Sequence, residues 1–363
     1  MSAPATAGLR AARRIVALPG DGIGPEVSRE ALRVVHLAAN LAGAKVEVIE
    51  MLMGGAAIDA FGEPLPAPTR EACLGADAVL LGAVGGPKWD VLSPDKRPEK
   101  GLLGIREALG VFANLRPVKA RAALLETSPL RPEIAHGTDL VVVRELLGDL
   151  YFGKPRGIEG TPRRGFNTMV YTEDEVRRIA KVAFDLARTR RKLVTSVDKA
   201  NVLETSRLWR DVVTEVGREY PDVELRHALV HSCAMDLIRR PTSFDVVLTS
   251  NMFGDILSDE AAVLAGSIGL LPSASVGTGP GFYEPIHGSA PDIAGRGIAN
   301  PIGAIASAAE MLRRSLGMPE IADKIDVAID KVLDEGRRTA DLGGTVSTEQ
   351  MGGFVCQALE RLF

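Results

Sequence analysis

Two periodicities of apolar residues divide this chain into strand-like and helix-like segments. The β-branched run RRIVALPG at 13–20 predicts a strand, and the segment 21–43 carries apolar residues at helical spacing up to a glycine stop. Further strand-like runs that end in polar or glycine residues are KVEVIE, ADAVLLGAV, VFANLRPVKA, TDLVVVREL, RKLVTSVDKAN and FDVVLTSN. Because strands that alternate with helices are typical of parallel βαβ units, the pattern predicts an α/β fold with ligands at the carboxyl ends of the strands.

The second half of the chain departs from this alternation in two places. Between Gly148 and Thr172 the periodicity is lost, and the segment predicts an excursion in the form of a hairpin arm. A long helix from Thr172 to Arg190 follows, and its opening TEDE is the pattern of a capping box. The C-terminal third predicts helices, apart from the Gly-, Pro- and Ser-rich stretch 266–304.

Composition limits the classes of function. The chain has 363 residues, which allows two domains, and 46% apolar with 25% charged residues is ordinary for a globular protein. The net charge of −4 gives no reason to expect nucleic acid or a membrane as partner. Three widely spaced cysteines without a CxxC pair argue against a disulfide framework and a cysteine-based zinc site.

Neither the N-terminus nor the longest uncharged run of the chain predicts a membrane segment. The N-terminus MSAPATAGLRAARRIV has no apolar stretch long enough for a signal peptide, although its Ala and Arg content without acids weakly indicates a transit peptide. The uncharged run 261–282 is broken by Gly, Ser and Pro, so it predicts core and loops. We expect a soluble, cytoplasmic protein.

The loop LPGDGIGPEV follows a strand and opens a helix, which is the position of a dinucleotide-binding motif. Its glycines Gly20, Gly22 and Gly24 form GxGxG in place of GxGxxG, and Pro25 stands where the motif uses free N–H groups. A tight strand-to-helix turn with proline at the helix start explains the loop equally well. Both interpretations are open at this point.

Two acidic residues in NMFGDILSDEAAVL are the first candidates for chemistry. Asp255 and Asp259 are four residues apart, so on a helix both carboxylates share one face. No Lys or Arg lies between Phe253 and Ala265 to neutralise them. Such a pair is either a solvated helix edge or half of a metal site, because carboxylate oxygens suit Mg²⁺ or Mn²⁺.

Four stretches in order, GDGIGPEV, VDKANVLE, NMFGDILSDEA and EPIHGSAPDIAGRGIANP, resemble the β-decarboxylating dehydrogenases, the isocitrate/isopropylmalate dehydrogenase family. The resemblance runs from about Ile15 to the C-terminus. It implies a two-domain α/β fold with parallel or mixed sheets and flanking helices, which is not a Rossmann fold. The implied cofactor-side domain comprises 1–111 and 266–363. The second domain, 112–265, provides dimerisation and the substrate and metal side, with an arm near 150–170.

The resemblance also implies catalytic residues. The family oxidises a 2-hydroxy acid by hydride transfer to a nicotinamide and then loses CO2 from the neighbouring carbon. Lys199 in SVDKAN matches the base-side lysine, which reaches in from the partner subunit, and Tyr151 in LYFG matches the acid that reprotonates the enolate. For Tyr151, simple packing is the better explanation from the residues alone. Asp255 and Asp259 match ligands of one Mg²⁺ or Mn²⁺ per site.

One metal ligand of the family is replaced in this chain. The family takes a third aspartate from the partner subunit, in a motif like YVDAMAM, and LVHSCAMDL has His231 at that position. Asp236 is a poor substitute, because five residues along a helix place it about 140° away. Neutral imidazole suits Mn²⁺ or Co²⁺ better than Mg²⁺, so a ligating His231 predicts weaker Mg²⁺ binding. The alternative is a nearby histidine that does not bind the metal, with water in its place.

Three arginines match the family's binders of substrate carboxylates: Arg106, Arg116 and Arg144. Guanidinium groups bind carboxylates bidentately, and two of the three are at or near the ends of predicted strands. A structural ion pair is the alternative for any one of them.

Substrate specificity is implied by the segment that contains Arg106. Glu99, Leu102, Leu103 and Arg106 have helical spacing and fall on roughly one face. Two leucines cannot pair the extra carboxylate of isocitrate, and they suit a branched alkyl group such as that of 3-isopropylmalate. From the residues alone, a core position explains both leucines equally well.

The Gly- and Ala-rich stretch HGSAPDIAGRGIAN matches the cofactor-binding loop of the family. Asp292 matches the acid that binds the ribose 2′-hydroxyl, so the resemblance favours NAD over NADP. His287 and Asn300 match adenine contacts. The other residues of this stretch and its surroundings that match cofactor contacts are Ile23, Glu284, Gly288, Ser289, Ala290 and Ile293.

Taken together, the resemblance implies an NAD-dependent oxidative decarboxylase that converts 3-isopropylmalate to 2-oxo-isocaproate in leucine biosynthesis. Because Lys199 and His231 are donated across an interface, it also implies an obligatory homodimer with shared sites. The replacement at position 231 leaves two alternatives open. One is a paralogue that acts on another 3-alkylmalate or D-malate, and the other is a non-catalytic regulatory subunit.

Overall fold

A large mixed sheet forms the centre of the computed structural model, which describes residues 12–363. The strands are β1 Arg13–Gly20, β2 Val46–Glu50, β3 Ala78–Ala83, β4 Val111–Lys119, β5 Asp139–Glu145, β6 Gly157–Glu159, β7 Arg164–Phe166, β8 Leu193–Asp198, β9 Glu224–Leu229, β10 Val246–Thr249, β11 Pro272–Gly277 and β12 Gly281–Pro285. Ten of them pair in the order β2-β1-β3-β12-β11-β4-β5-β10-β8-β9, and β6 and β7 pair separately. The fold is therefore the predicted α/β class.

The helices pack on this sheet. They are α1 Gly24–Leu41, α2 Gly55–Phe61, α3 Ala67–Leu74, α4 Pro98–Leu109, α5 Pro132–Ala135, α6 Glu173–Arg188, α7 Glu204–Gly217, α8 Val230–Arg239, α9 Asn251–Ala262, α10 Ile302–Arg314, α11 Pro319–Asp334 and α12 Thr348–Glu360. The capping box predicted at the start of α6 is present, with Thr172 and Glu175 bonded reciprocally. No helix among residues 12–363 is both long and apolar enough to cross a membrane. The prediction about the N-terminal segment falls mainly on residues 1–11, which lie outside the described residues.

Two features of the sheet differ from the sequence prediction. β4 runs antiparallel to both of its neighbours, β5 and β11, so it is not part of a parallel βαβ unit. The stretch 266–304, predicted as loop, contains β11 and β12, which pair antiparallel with each other. Their Pro and Gly residues are typical of turns, and pairing with distant β3 and β4 makes them strands.

The strand order agrees with the predicted division of the chain, which stays a prediction. One half of the sheet, β2-β1-β3-β12-β11, comes from residues before 84 and after 271, and the other half comes from residues 111–249. The predicted arm is the β6–β7 hairpin, whose Ile158 is 74% exposed. An apolar side chain this exposed on an arm favours a contact with another chain.

The loop at Gly20 is a tight turn. Gly20 and Gly22 have φ values of 72° and 59°, which side chains rarely adopt, and a Cβ on Gly20 would lie 1.9 Å from the carbonyl oxygen of Ala83. The carboxylate of Asp21 accepts hydrogen bonds from the backbone N–H groups of Gly55, Ala56 and Gly85. Through these contacts the loop joins β1, β3 and α2. This agrees with the interpretation of the loop as a tight strand-to-helix turn.

Candidate active site

A cleft of about 380 Å³ opens beside α4, where residues from both halves of the sheet meet. Its walls contain all six residues predicted to bind the substrate, together with residues from α9 and from the loop after β12. The predicted site residues that line it are Glu99, Leu102, Leu103, Arg106, Arg116, Arg144, Tyr151, Asp255, Glu284, His287 and Gly288. Among these predicted residues the largest separation along the chain is 189 positions, between Glu99 and Gly288.

Helix α4 presents one mixed face to this cleft. Glu99, Leu102, Leu103 and Arg106 all line it, as their helical spacing predicts. The leucines are half-buried, and Arg106 is only 8% exposed. An apolar wall therefore adjoins a buried guanidinium, which suits a ligand that carries both an alkyl group and a carboxylate.

The three arginines are buried side by side, and each already has an anionic or polar partner. Arg106 forms an ion pair with Glu284. Arg116 donates to Asn114 at 2.8 Å and to Ser258 at 2.7 Å, and Arg144 donates to Asn251 at 3.0 Å. Burial, together with the positive charge of the neighbouring Arg116, lowers the pKa of Arg144 to about 10. This density of buried positive charge predicts an anionic ligand.

Asp255 on α9 is the acidic centre of the same wall. It forms an ion pair with Arg144, lies 3.6 Å from Arg116, and accepts a hydrogen bond from the Tyr151 hydroxyl at 2.9 Å. Burial opposes ionisation of Asp255, but the two arginines hold its pKa below the usual value. The cations that α9 itself lacks therefore come from β4 and β5. Asp255 is thus not simply part of a solvated helix edge, which was one of the two alternatives from the sequence.

Tyr151 is held at the cleft as a neutral phenol. Burial raises the pKa of its hydroxyl, and the negative charge of Asp255 raises it further. The guanidinium of Arg144 lies 5.7 Å from the ring centroid. A protonated hydroxyl in a cleft lined by buried cations is the arrangement that a proton donor needs.

The predicted metal site is only partly assembled within one chain. Asp259 lies 3.3 Å from Arg116, and its side chain is 58% exposed, outside the residues that line the cleft. Among residues 12–363, no group of three His, Cys, Asp or Glu side chains is placed to hold a metal ion. Asp255 and Asp259 supply hard oxygen ligands that fit Mg²⁺ or Mn²⁺.

Lys199 and His231 are placed together, but not at the cleft. The Lys199 Nζ lies 2.8 Å from His231 Nδ1, and this contact is exposed. Lys199 directly follows β8, and His231 is in the first turn of α8. Asp236, farther along α8, pairs with Arg240 at 2.7 Å. The structure thus keeps Lys199 and His231 as one unit that faces outward from the chain.

The predicted cofactor loop is tied to the start of α1. The Ile23 N–H donates to the Ser289 carbonyl at 2.8 Å, and the Asn300 side chain donates to Asp341 at 3.0 Å. Ala290 has a φ of 38°, an uncommon value outside glycine. Asp292 is exposed, and Ile293 packs partly on the core. The loop is therefore shaped and anchored, with Asp292 open to a ligand.

His287 gives this loop an open hydrogen-bonding position. Its Nδ1 contacts the Gly288 carbonyl at 2.9 Å, and its Nε2 is buried with no hydrogen-bond partner among the described residues. Burial lowers the pKa of His287, which favours the neutral ring. A Cβ added to Gly288 would meet nothing within 4 Å. An unsatisfied buried nitrogen beside open space fits a bound group such as a dinucleotide.

Sequence reasoning missed two residues that shape the site. Glu26 accepts hydrogen bonds from the N–H groups of Gly295 and Gly297, at 2.5 and 3.1 Å, so it holds the glycine-rich loop to α1. Asp149 accepts from the Met252 N–H at 3.1 Å and so caps α9 from a distant segment. An acid in the first turn of a helix was a visible signal for Glu26. Asp149 had none, because its partner is 103 positions away.

Asp149 leads to a first prediction, about stability. Its φ of 72° is left-handed, and it caps α9 where the side chain of Ser250, the residue before the helix, makes no cap. We expect Asp149→Ala to lower the free energy of unfolding by about 2 kcal/mol, about half from the lost cap and half from the left-handed backbone. Asp149→Gly loses only the cap, so its cost is about 1 kcal/mol. Urea unfolding at one protein concentration measures both, and equal losses for Ala and Gly would exclude the backbone part.

Comparison with known proteins agrees with the geometry. The model of the isocitrate/isopropylmalate dehydrogenase family matches residues 14–355, and the chain belongs to this family. It is 60% identical to the 3-isopropylmalate dehydrogenase of Nitratidesulfovibrio vulgaris, with 95% of this chain and 99% of the relative covered. It is 55% identical to the 3-isopropylmalate dehydrogenase of Aquifex aeolicus, with 96% and 98% covered.

Solved structures show the same architecture. The crystal structure of isocitrate dehydrogenase from Methylococcus capsulatus superposes with a TM-score of 0.85 at 34% identity and covers 96% of this chain and 99% of its own. That of a β-decarboxylating dehydrogenase from Thermococcus kodakarensis has a TM-score of 0.80 at 37% identity, with 96% and 97% covered. The family expected from the sequence motifs is confirmed.

Proposed function

We propose that this chain catalyses the NAD-dependent oxidative decarboxylation of 3-isopropylmalate to 2-oxo-isocaproate, a step of leucine biosynthesis. The observation that carries the proposal is the cleft in which Leu102 and Leu103 adjoin three buried arginines. The leucines offer no partner to a third carboxylate, which disfavours isocitrate, and they accommodate an alkyl branch. Relatives named 3-isopropylmalate dehydrogenase at 55–60% identity support it, and they do not favour a regulatory subunit or a paralogue.

In this proposal the residues of the cleft have separate roles in binding and catalysis. When bound, NAD supplies the hydride acceptor and Mg²⁺ or Mn²⁺, next to Asp255 and Asp259, supplies positive charge at the substrate's C2 oxygen and C1 carboxylate. Arg116 and Arg144 hold the carboxylates of the substrate, as does Arg106. The hydroxyl of Tyr151 donates the proton that converts the enolate to product.

The direct test is NADH formation by the purified protein with 3-isopropylmalate, D-malate and isocitrate, each with Mg²⁺ and with Mn²⁺. We expect 3-isopropylmalate to have the highest kcat/KM, with kcat in the ordinary enzyme range of about 1 to 10³ s⁻¹. A higher kcat/KM for D-malate or isocitrate would overturn the substrate assignment. Absence of NADH with all three would remove the catalytic assignment itself.

NAD binding in this proposal depends on the loop 287–300, and Glu26 provides its test. We expect Glu26→Gln to raise the dissociation constant for NAD about tenfold, about 1.4 kcal/mol, because charge-assisted bonds to two N–H groups become weaker ones. Glu47→Gln on β2, an exposed carboxylate away from the loop, is the matched control and should not change it. Calorimetric titration with NAD measures both, and an unchanged affinity for Glu26→Gln would refute the anchoring role.

We also propose that two copies of the chain share their active sites. Lys199 and His231 lie outside the cleft of their own chain, yet Lys199 matches the base of the family. Large apolar side chains are exposed close to them in sequence and on α9, including Val202 (61%), Met235 (55%) and Ile256 (59%). A second copy that covers these side chains would bring Lys199 and His231 to the cleft of its partner.

Subunit mixing tests this arrangement. A heterodimer of Lys199→Met and Tyr151→Phe chains, purified with two different tags, has one site with both lesions and one intact site. We therefore expect about half of the wild-type activity from it, although each variant homodimer is nearly inactive. If the heterodimer is as inactive as the homodimers, Lys199 acts within its own chain and the sites are not shared.

A further inference from the structure

Arg106 is already occupied by a carboxylate of the protein itself. It forms an ion pair with Glu284, which comes from the end of β12, 178 positions along the chain. Both residues are 8% exposed, and both line the cleft. Because Arg106 is one of the arginines that the proposed function assigns to the substrate, Glu284 stands where a substrate carboxylate is expected to bind.

The match between Glu284 and Arg106 is incomplete. Glu284 accepts from one nitrogen, Nη2, whereas the buried Nε of Arg106 has no hydrogen-bond partner among the described residues. A carboxylate that approaches the edge of a guanidinium satisfies two nitrogens at once. A free dicarboxylate can therefore make a better contact with Arg106 than Glu284 does.

Simultaneous binding of both carboxylates to Arg106 is unfavourable. The two would share one guanidinium in a buried wall, where like charges repel more strongly than in water. Arg116 and Arg144 do not relieve this repulsion at Arg106, because both pair with Asp255 and, in the proposed function, also hold substrate carboxylate. A substrate carboxylate on Arg106 therefore favours departure of Glu284.

We propose that Glu284 is an internal competitor for the substrate: its carboxylate holds Arg106 in the free protein and is displaced when the substrate carboxylate binds. The proposal rests on the proposed function, because it assigns Arg106 to the substrate. It gives the buried Arg106 an anionic partner in both states. It also makes the affinity of the cleft depend on how well a ligand's carboxylate outcompetes Glu284.

The test is substrate affinity in variants of Glu284, measured by calorimetry with Mg²⁺ and without NAD, so that no turnover occurs. Glu284→Gln removes the competing charge and keeps the shape, and we expect 3-isopropylmalate to bind about tenfold more tightly than to wild type. Glu284→Asp keeps the charge but shortens its reach to Arg106, so it should also tighten binding, by a smaller factor. Circular dichroism at the titration temperature checks that each variant is folded.

Glu107→Gln is the matched control, because Glu107 is an exposed carboxylate of α4 that does not line the cleft, and its removal leaves the Arg106–Glu284 pair in place. If Glu284→Gln binds no more tightly than wild type or than Glu107→Gln, or if Glu284→Asp binds more weakly than wild type, Glu284 is not displaced and the proposal is wrong. The same holds if none of the proteins binds 3-isopropylmalate or D-malate. The proposed function can fail independently of this proposal. In that case wild type binds D-malate more tightly than 3-isopropylmalate, and the Glu284 variants bind D-malate more tightly than wild type does.

Discussion

Asp255→Asn is expected to lower kcat/KM for 3-isopropylmalate by about 10³-fold, about 4 kcal/mol. The substitution keeps the size of the side chain and removes its charge. Asp255 contacts three other residues of the site. It forms an ion pair with Arg144, lies 3.6 Å from Arg116 and accepts a hydrogen bond from the Tyr151 hydroxyl at 2.9 Å. A neutral amide leaves the two arginines without a counter-charge and removes one of the oxygen ligands proposed for the metal.

The same substitution separates the metal role from the structural role. Because 35% of the Asp255 side chain is exposed, we expect a loss of only about 1 to 2 kcal/mol in the free energy of unfolding. Asp259→Asn is the matched comparison: its carboxylate is 58% exposed, so its stability should change by less than about 0.5 kcal/mol. Both variants should bind Mn²⁺ more weakly in calorimetric titrations. If both variants bind Mn²⁺ as tightly as wild type does, Asp255 and Asp259 are not ligands of the metal.

Tyr151→Phe is expected to lower kcat by about 10²- to 10⁴-fold, with a much smaller change in KM. The hydroxyl acts on the enolate, which forms only after the substrate is bound, so its loss affects the reaction more than binding. The raised pKa, which follows from burial and from Asp255, keeps the phenol protonated and able to donate. The measurement is steady-state NADH formation over a range of 3-isopropylmalate concentrations.

Tyr220→Phe is the control for this substitution. Tyr220 stacks on Phe184 with ring centroids 5.0 Å apart and is not among the residues that line the cleft, so its kcat should equal that of wild type. A Tyr151→Phe enzyme with wild-type kcat would show that another group or water supplies the proton. A rise in KM at constant kcat would instead indicate a role for the hydroxyl in binding.

Local patterns were enough to predict two of the helices, one of which carries part of the site. The capping box of α6 and the common face of Glu99, Leu102, Leu103 and Arg106 depend on residues three to seven positions apart, so both are readable without tertiary structure. The strands β11 and β12 were not readable in this way. Their Pro- and Gly-containing sequences are typical of loops, and they become strands because distant β3 and β4 supply hydrogen-bonding partners.

The sequence by itself determined the α/β class, the order of the motifs and the residue types available for chemistry. Tertiary structure alone decided which charges neutralise which: Asp255 meets Arg144 across 111 positions, and Arg106 meets Glu284 across 178. The reason is physical. Helical and strand periodicities arise from contacts between near neighbours in the chain, whereas a buried ion pair requires two distant segments to exclude water from the same place.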